Sequence, residues 1–300
     1  MDKLQAMSVF VQIAERGSLT AAAEAIGKSL PSVVRILASL EEKLQARLLN
    51  RTTRRLSLTE EGRFYLESCR RILAEIDDAE AMLGRQQTTP SGLINVTAPV
   101  RFGEMHVAPA INTYLQRYPS VRIRLLLLDR TIDLLEEGID VAIRIAPLAD
   151  SSLIARRVGH IRQLTCASPD LLRTHGRPVR PEALSELPCI RFTGLSAASA
   201  WRFNDGGKSL TVSIDGPLTC NQVKASVEAC VDGLGFGRFL CYQVMPAVRR
   251  GELDIVLQDF EPKPTPLSLV FLENRLLSTR IRTFVDWMAQ VLPESLKDTG

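Results

Sequence analysis

SLTAAAEAIGKSLPSVVRILASLEEKLQARLLNRTTRRLSLT, residues 18–59, sets a short alanine-rich helix, a tight connection, a longer helix and an arginine hairpin in succession. Ser18 is suited to cap the first helix, and Ala21, Ala22, Ala23 and Ala25 are small enough to let a neighbouring helix approach closely. Gly27 and Lys28 break that helix. The second is expected to open at Ser29 as N-cap, with Pro31 in the first turn, where a missing N–H costs little. Val33, Val34, Ile36, Leu37, Leu40 and Leu44 supply its apolar stripe. Two helices joined so briefly cross at a steep angle, the layout of a winged helix-turn-helix that presents a recognition helix to the DNA major groove.

The hairpin strengthens that reading. Arg47, Arg51, Arg54 and Arg55 surround Asn50, Thr52 and Thr53, and no acidic residue occurs between Glu42 and Glu60. Leu48, Leu49, Leu56 and Leu58 flank the basic run like two short strands, so the arginines are expected at the tip of a wing against the DNA backbone. A lone cluster of this kind would as readily be a solvated surface; its position directly behind a helix-turn-helix favours phosphate.

The segments VFVQIAERGSLTAAAEAIGKSLPSVVRILASLEEKL and RLLNRTTRRLSLTEEGRFYLESCRRIL resemble the N-terminal module of the LysR-type transcriptional regulators. The resemblance runs without a gap over about the first 85 residues. It continues more loosely at VTAPVRFGEMHVAPAI, DRTIDLLEEGIDVAIRI and DSSLIARRVG. It implies a bacterial transcription factor with a C-terminal effector domain. Members of the family carry Gln before the proline of the recognition helix and Ser or Thr a turn further on, where this chain has Leu30 and Val34. Gln bonds bidentately to adenine, whereas Leu offers only apolar contact to a thymine methyl, so the resemblance does not by itself imply the family's usual half-site. Ser29, Ser32 and Arg35 remain as polar candidates on this helix, with Arg51, Thr52, Thr53 and Arg54 on the wing. For the serines, capping or packing is an equal alternative.

From Thr59 to about Gly84 a long helix is expected, with Glu60 and Glu61 favouring its positive end. Tyr65, Cys69, Ile72, Ile76, Ala79 and Leu83 recur at intervals of four and three, the pattern of a coiled-coil seam, so a homodimer is expected, extendable to a homotetramer. Packing against the same chain is the alternative. QQTTPSG, residues 86–92, then leaves the helix. The expected division is a DNA-binding domain over 1–59, a linker helix over 60–87, a hinge over 88–92 and an effector domain over 93–300.

Beyond the hinge the chain reads as α/β with a mostly parallel sheet. Strands are expected at 93–98, 121–128 and DVAIRIA, and helices at 104–118 and 132–137. CIRF, a helix over 222–231, GFGRFL, LSLVFL and a terminal helix over 280–292 follow. The resemblance implies a two-lobed domain like the periplasmic solute-binding proteins, with lobe I over 93–161 and 266–300 and lobe II over 162–265. It places Pro99, Val100, Arg101, Arg144, Thr193, Asn221, Phe236 and Gly237 around an interlobe effector site. Arg101 stands where the family often has a small polar residue and, if it faces the cleft, favours an anionic effector such as a carboxylate. A surface arginine turned away from the cleft is an equal alternative.

Composition narrows the remaining classes. A net charge of +3 over 300 residues diagnoses nothing by itself; local clustering of basic residues carries the argument. MDKLQAMSVFVQIAERG reads as an amphipathic helix rather than a signal peptide, and no apolar run approaches the ~20 residues needed to cross a bilayer. A cytoplasmic protein without membrane partners is expected. Six cysteines without a C-x-x-C pair and three histidines argue against a zinc site and make free thiols the expectation. A redox sensor is the alternative, with Cys220, ahead of a helix start, as the thiol to watch. No G-x-S-x-G, phosphate-binding glycine loop or acid–base constellation marks an enzyme, and neither a cofactor nor a catalytic residue is expected. The expected function is sequence-specific DNA binding modulated by a small molecule, with operator DNA and RNA polymerase as partners. A solute-binding protein without DNA-dependent function is the alternative, opposed by the whole N-terminal module.

Overall fold

The structure, a computed structural model, describes residues 2–51, 56–83, 89–130, 132–147, 153–193, 199–272 and 278–297, with the backbone alone at 51, 74, 75 and 77–83. Two compact units divide between Thr88 and Thr89.

The first unit runs α1 (Lys3–Arg16), α2 (Leu19–Ala25), α3 (Leu30–Leu44), β1 (Leu49–Arg51), β2 (Leu56–Leu58) and α4 (Glu60–Leu83). Ser18 Oγ accepts the Ala21 N–H at 3.3 Å, the expected cap of α2, and Gly27 turns the chain at a φ of 64°. Phe10, Ile13, Ala22, Val33, Leu37, Leu40 and Leu48 meet in one core. The wing is an antiparallel pair with Leu49 opposite Leu58 and Arg51 opposite Leu56. Glu41 on α3 anchors its base, since Oε1 accepts the Leu48 and Leu49 N–H groups at 2.8 and 3.3 Å. Thr59 caps α4 by accepting the Gly62 N–H at 2.9 Å. Gly62 is required by close approach: a Cβ there would lie 1.9 Å from the Leu48 carbonyl oxygen.

The second unit begins with β3 (Gly92–Ala98), α5 (Val100–Phe102), a π-helical segment Gly103–Val107, α6 (Ala108–Arg117), β4 (Val121–Leu127), β5 (Val141–Ile145), β6 (Leu153–Ile161), β7 (Gln163–Ala167) and α7 (Pro169–His175). It continues through β8 (Pro188–Phe192), β9 (Ala200–Asp205), β10 (Lys208–Ser213), β11 (Asp215–Cys220), α8 (Val223–Val231), β12 (Gly237–Leu240), α9 (Cys241–Arg249), β13 (Asp254–Val256), β14 (Thr265–Leu272) and α10 (Thr279–Leu296). One sheet is ordered β4-β3-β5-β14-β6. The other lobe carries β12-β7-β13 and β11-β8, joined by a parallel bridge between Cys189 and Phe236, with β9 and β10 as a hairpin. The chain passes between lobes after Ile161 and again between Val256 and Thr265.

Three expectations are corrected. The sheets are mixed rather than mostly parallel: β3 runs parallel to β4 and β5, but β14 is antiparallel to β5 and β6. The reason is that β6 leads into one interlobe crossing and β14 follows the other, so neither belongs to a helical crossover of its own. Residues 132–137 form a single turn and no helix: Asp133 Oδ1 caps it by accepting the Leu135 and Glu136 N–H groups at 2.7 and 3.1 Å, but Gly138 reverses the chain at a φ of 64° before a second turn can follow. The helix expected from 104 begins at Val100 and passes through the π-helical segment before α6.

Candidate functional site

The solvent side of α3 is built by its own periodicity: Val33, Leu37 and Leu40 turn into the core, which leaves Pro31 and Arg35 exposed and Leu30 41% exposed. Ser32 and Val34 are half-buried. Ser29 departs from the expected cap; its backbone is extended, but its side chain makes no capping bond. Pro31 removes one donor within its reach, and the Ser32 N–H goes to the Ser29 carbonyl at 3.0 Å instead. Arg47 is exposed at the wing base, and its carbonyl accepts the Thr59 hydroxyl at 2.6 Å. Thr52, Thr53, Arg54 and the Arg51 side chain lie outside the described residues.

On α4 the expected seam divides. Cys69 is fully buried and Tyr65 and Ile72 half-buried in the core of the same chain, with the Tyr65 and Phe10 rings 5.8 Å apart. A three-four apolar spacing suits any partner helix, and α1 takes this stretch. Burial pushes the Cys69 thiol up to about 11 and the Tyr65 phenol to about 12. Ile76, half-buried, is not among the residues of that core; the Ala79 and Leu83 side chains lie outside the described residues. Phe64, which the spacing did not single out, is 79% exposed on another face of α4.

In the second unit the expected effector positions separate into two groups. Pro99 precedes α5, and the Val100 N–H donates to Asp129 Oδ1 at 3.0 Å, so a carboxylate of the chain already occupies this helix start. Arg101 pairs with Glu104 at 3.1 Å and lines a cavity of about 530 Å³ with Val223, Lys224 and Val227 of α8 and Gln243 and Ala247 of α9. Arg144 Nη2 donates to the Ile132 carbonyl at 2.8 Å. The Thr193 N–H donates to the Cys220 carbonyl at 2.8 Å, and Asn221 is exposed. Phe236 and Gly237 lie in the interior of the second lobe. Phe236 is fully buried in a core with Trp201 and Phe203. A Cβ on Gly237 would lie 2.1 Å from the Phe239 ring. Both pack within the second lobe, Phe236 bridging to Cys189 just ahead of β12 and Gly237 opening that strand. Asp129 and Gln243 were missed; an acid just after the LLLL strand was the available signal for Asp129.

Five of the six cysteines are buried free thiols. Desolvation pushes Cys189 up to about 12. Cys220 is half-buried, its Sγ accepting the Gln222 N–H at 3.4 Å. Among the described residues no group of three or more His, Cys, Asp or Glu could hold a metal, and no helix is long and apolar enough to cross a membrane.

This arrangement, a winged helix-turn-helix followed by a two-lobed α/β domain, defines a DNA-binding regulator with a ligand-responsive domain. Residues 4–63 match the family model for bacterial regulatory helix-turn-helix proteins of the lysR family, and residues 87–293 match the LysR substrate binding domain. The chain belongs to the LysR family of transcriptional regulators. It is 35% identical over 297 residues to an HTH-type transcriptional repressor of Pseudomonas aeruginosa, covering 98% of this chain and 94% of that protein. It is 30% identical over 294 residues to the HTH-type transcriptional activator AaeR of Escherichia coli, covering 98% and 95%. Among solved structures, CrgA of Neisseria meningitidis, a LysR-type regulator, aligns with a TM-score of 0.62 at 32% identity over 96% of this chain and 98% of that one. The full-length virulence activator AphB of Vibrio cholerae aligns with a TM-score of 0.62 at 26% identity over 97% and 99%. The relatives are named as regulators and not as enzymes, and the protein is a DNA-binding transcriptional regulator with an effector-binding domain.

Proposed function

We propose that this regulator works in the cytoplasm as a homodimer whose paired heads grip two operator half-sites, and that a small anionic effector held between the lobes alters that grip. The observation carrying the DNA contacts is the exposed face of α3, with Leu30, Arg35 and half-buried Ser32 and Val34, one short connection from the wing. Arg51, Thr52, Thr53 and Arg54 serve phosphate, while Ser29, free of a capping bond, is available to phosphate or base. Dimerisation is assigned to the part of α4 from Ile76 through Ala79 and Leu83. RNA polymerase is the partner through which binding becomes regulation.

For the effector, Arg101 at its cavity and Arg144 near the end of β5 are the candidate cations, with Pro99, Val100, Thr193 and Asn221 as neutral neighbours. Salt titration of operator binding tests the head: Arg51→Ala and Arg54→Ala should each lower the log–log slope by about 0.9 per phosphate and subunit, and an unchanged slope refutes the contact. Calorimetry with a panel of small carboxylates tests the effector: Arg101→Ala should weaken whichever carboxylate binds, with effector-free operator binding kept. A response equal to wild type refutes that role.

A further inference from the structure

The recognition helix carries an apolar stripe on its solvent side that packing does not explain. Leu30, Val34 and Ala38 recur every four residues, so they lie one above the other along α3. Leu30 is 41% exposed, Ala38 is exposed and Val34 is half-buried. None of the three is among the residues that close the core of this unit, which takes Val33, Ile36, Leu37, Leu40 and Leu44 from the same helix. Leu30, the one large exposed apolar side chain of the three, and the uncovered part of Val34 gain when a partner covers them.

The major groove offers one apolar partner among its base edges, the C5 methyl of thymine. We propose that Leu30 and Val34 read thymine methyl groups, so that half-site selectivity comes from methyl contact rather than from a hydrogen-bonded adenine, with Ala38 continuing the stripe and Arg35 beside it supplying charge. Neither Leu30 nor Val34 can donate or accept a hydrogen bond from its side chain, so neither can distinguish adenine from guanine directly. The inference rests on the assignment of α3 as the helix that enters the groove.

The test replaces thymine by deoxyuridine, which deletes the C5 methyl and leaves every hydrogen-bonding edge unchanged. The probe is a duplex enriched by the wild-type full-length protein from a random library. Its thymines are exchanged one at a time, and affinity is measured by fluorescence anisotropy. At one or two positions in each half-site, wild-type binding should fall about fourfold per methyl, the factor that corresponds to one buried methylene-sized group. Leu30→Ala or Val34→Ala should bind the thymine and uracil duplexes alike at the matching position. Arg35→Ala should weaken both duplexes equally and keep their ratio. Leu30 is exposed, so its variant tests recognition without disturbing the core. Tight wild-type binding that ignores every exchange overturns the methyl reading while leaving DNA binding by α3 intact. A methyl dependence that persists unchanged in both alanine variants assigns it to other residues and overturns it equally. Enrichment of no duplex at all overturns the groove assignment and the inference together.

Discussion

Arg162 and Glu261 tie together the two strands of chain that pass between the lobes. Nε and Nη2 of the guanidinium donate to the two carboxylate oxygens at 2.9 and 2.8 Å, a forked pair that spans 99 positions in sequence. Arg162 lies between β6 and β7, and Glu261 lies between β13 and β14. The Glu261 side chain is 15% exposed and that of Arg162 40%, so water weakens the pair without cancelling it. Glu261→Gln removes the charge and keeps the size. Urea unfolding should show a loss of about 1 kcal/mol, the upper end of the values for surface pairs and well below those for buried ones, with effector-free operator binding unchanged. A loss above about 3 kcal/mol would mean the pair is effectively buried.

Gly62 is where α4 meets the wing base, and no larger residue fits beside the Leu48 carbonyl. Gly62→Ala must push α4 away from the hairpin. Thermal unfolding should register a destabilisation of about 2 kcal/mol, and operator affinity should fall with it because Thr59, Leu48 and the wing share that junction. Wild-type stability would show that the junction is not tight.

The divided seam predicts two different outcomes from one kind of substitution. Ile72→Asp places a charge against the core that α1 and α4 share, so circular dichroism should show a weakened DNA-binding unit. Ile76→Asp lies beyond that core, and sedimentation should show dissociation to monomers that keep their helical content. Intact dimers in the Ile76→Asp variant would remove this part of α4 from the interface.

His106 sits in the π-helical segment with its ring 4.9 Å from Phe102 and 5.6 Å from Tyr242, which comes from α9 of the other lobe. Nδ1 meets Ser295 Oγ at 3.2 Å and Nε2 has no partner among the described residues. Desolvation lowers its pKa from 6.5, so the folded state disfavours the proton that the unfolded chain accepts. Its contribution to stability is therefore present above pH 6.5 and lost as pH falls below it. Urea midpoints measured on either side of pH 6.5 should show that loss in wild type and a smaller one in His106→Phe. Equal pH dependence in the two would assign the effect elsewhere.

The DNA-binding layout and the wing were legible from residues 18–59, and the run of strands and helices from the alternation beyond residue 92, because spacing and turn chemistry act over a few neighbouring positions; the two-lobed division came only with the family resemblance. The cap at Ser18 is such a local fact. The failures share one cause. Ser29 lost its cap to a proline two residues away and a backbone bond; the 132–137 segment lost its helix to the chain reversal at Gly138. The first half of the α4 seam went to α1. A periodic apolar stripe states that a face will be covered and leaves its partner unnamed. Only the tertiary structure shows which stripe α1 covers, because burial is decided by which surfaces meet in space. It shows Leu30 and Val34 outside the core of their own unit, and the Arg162–Glu261 pair joins residues that no local pattern relates.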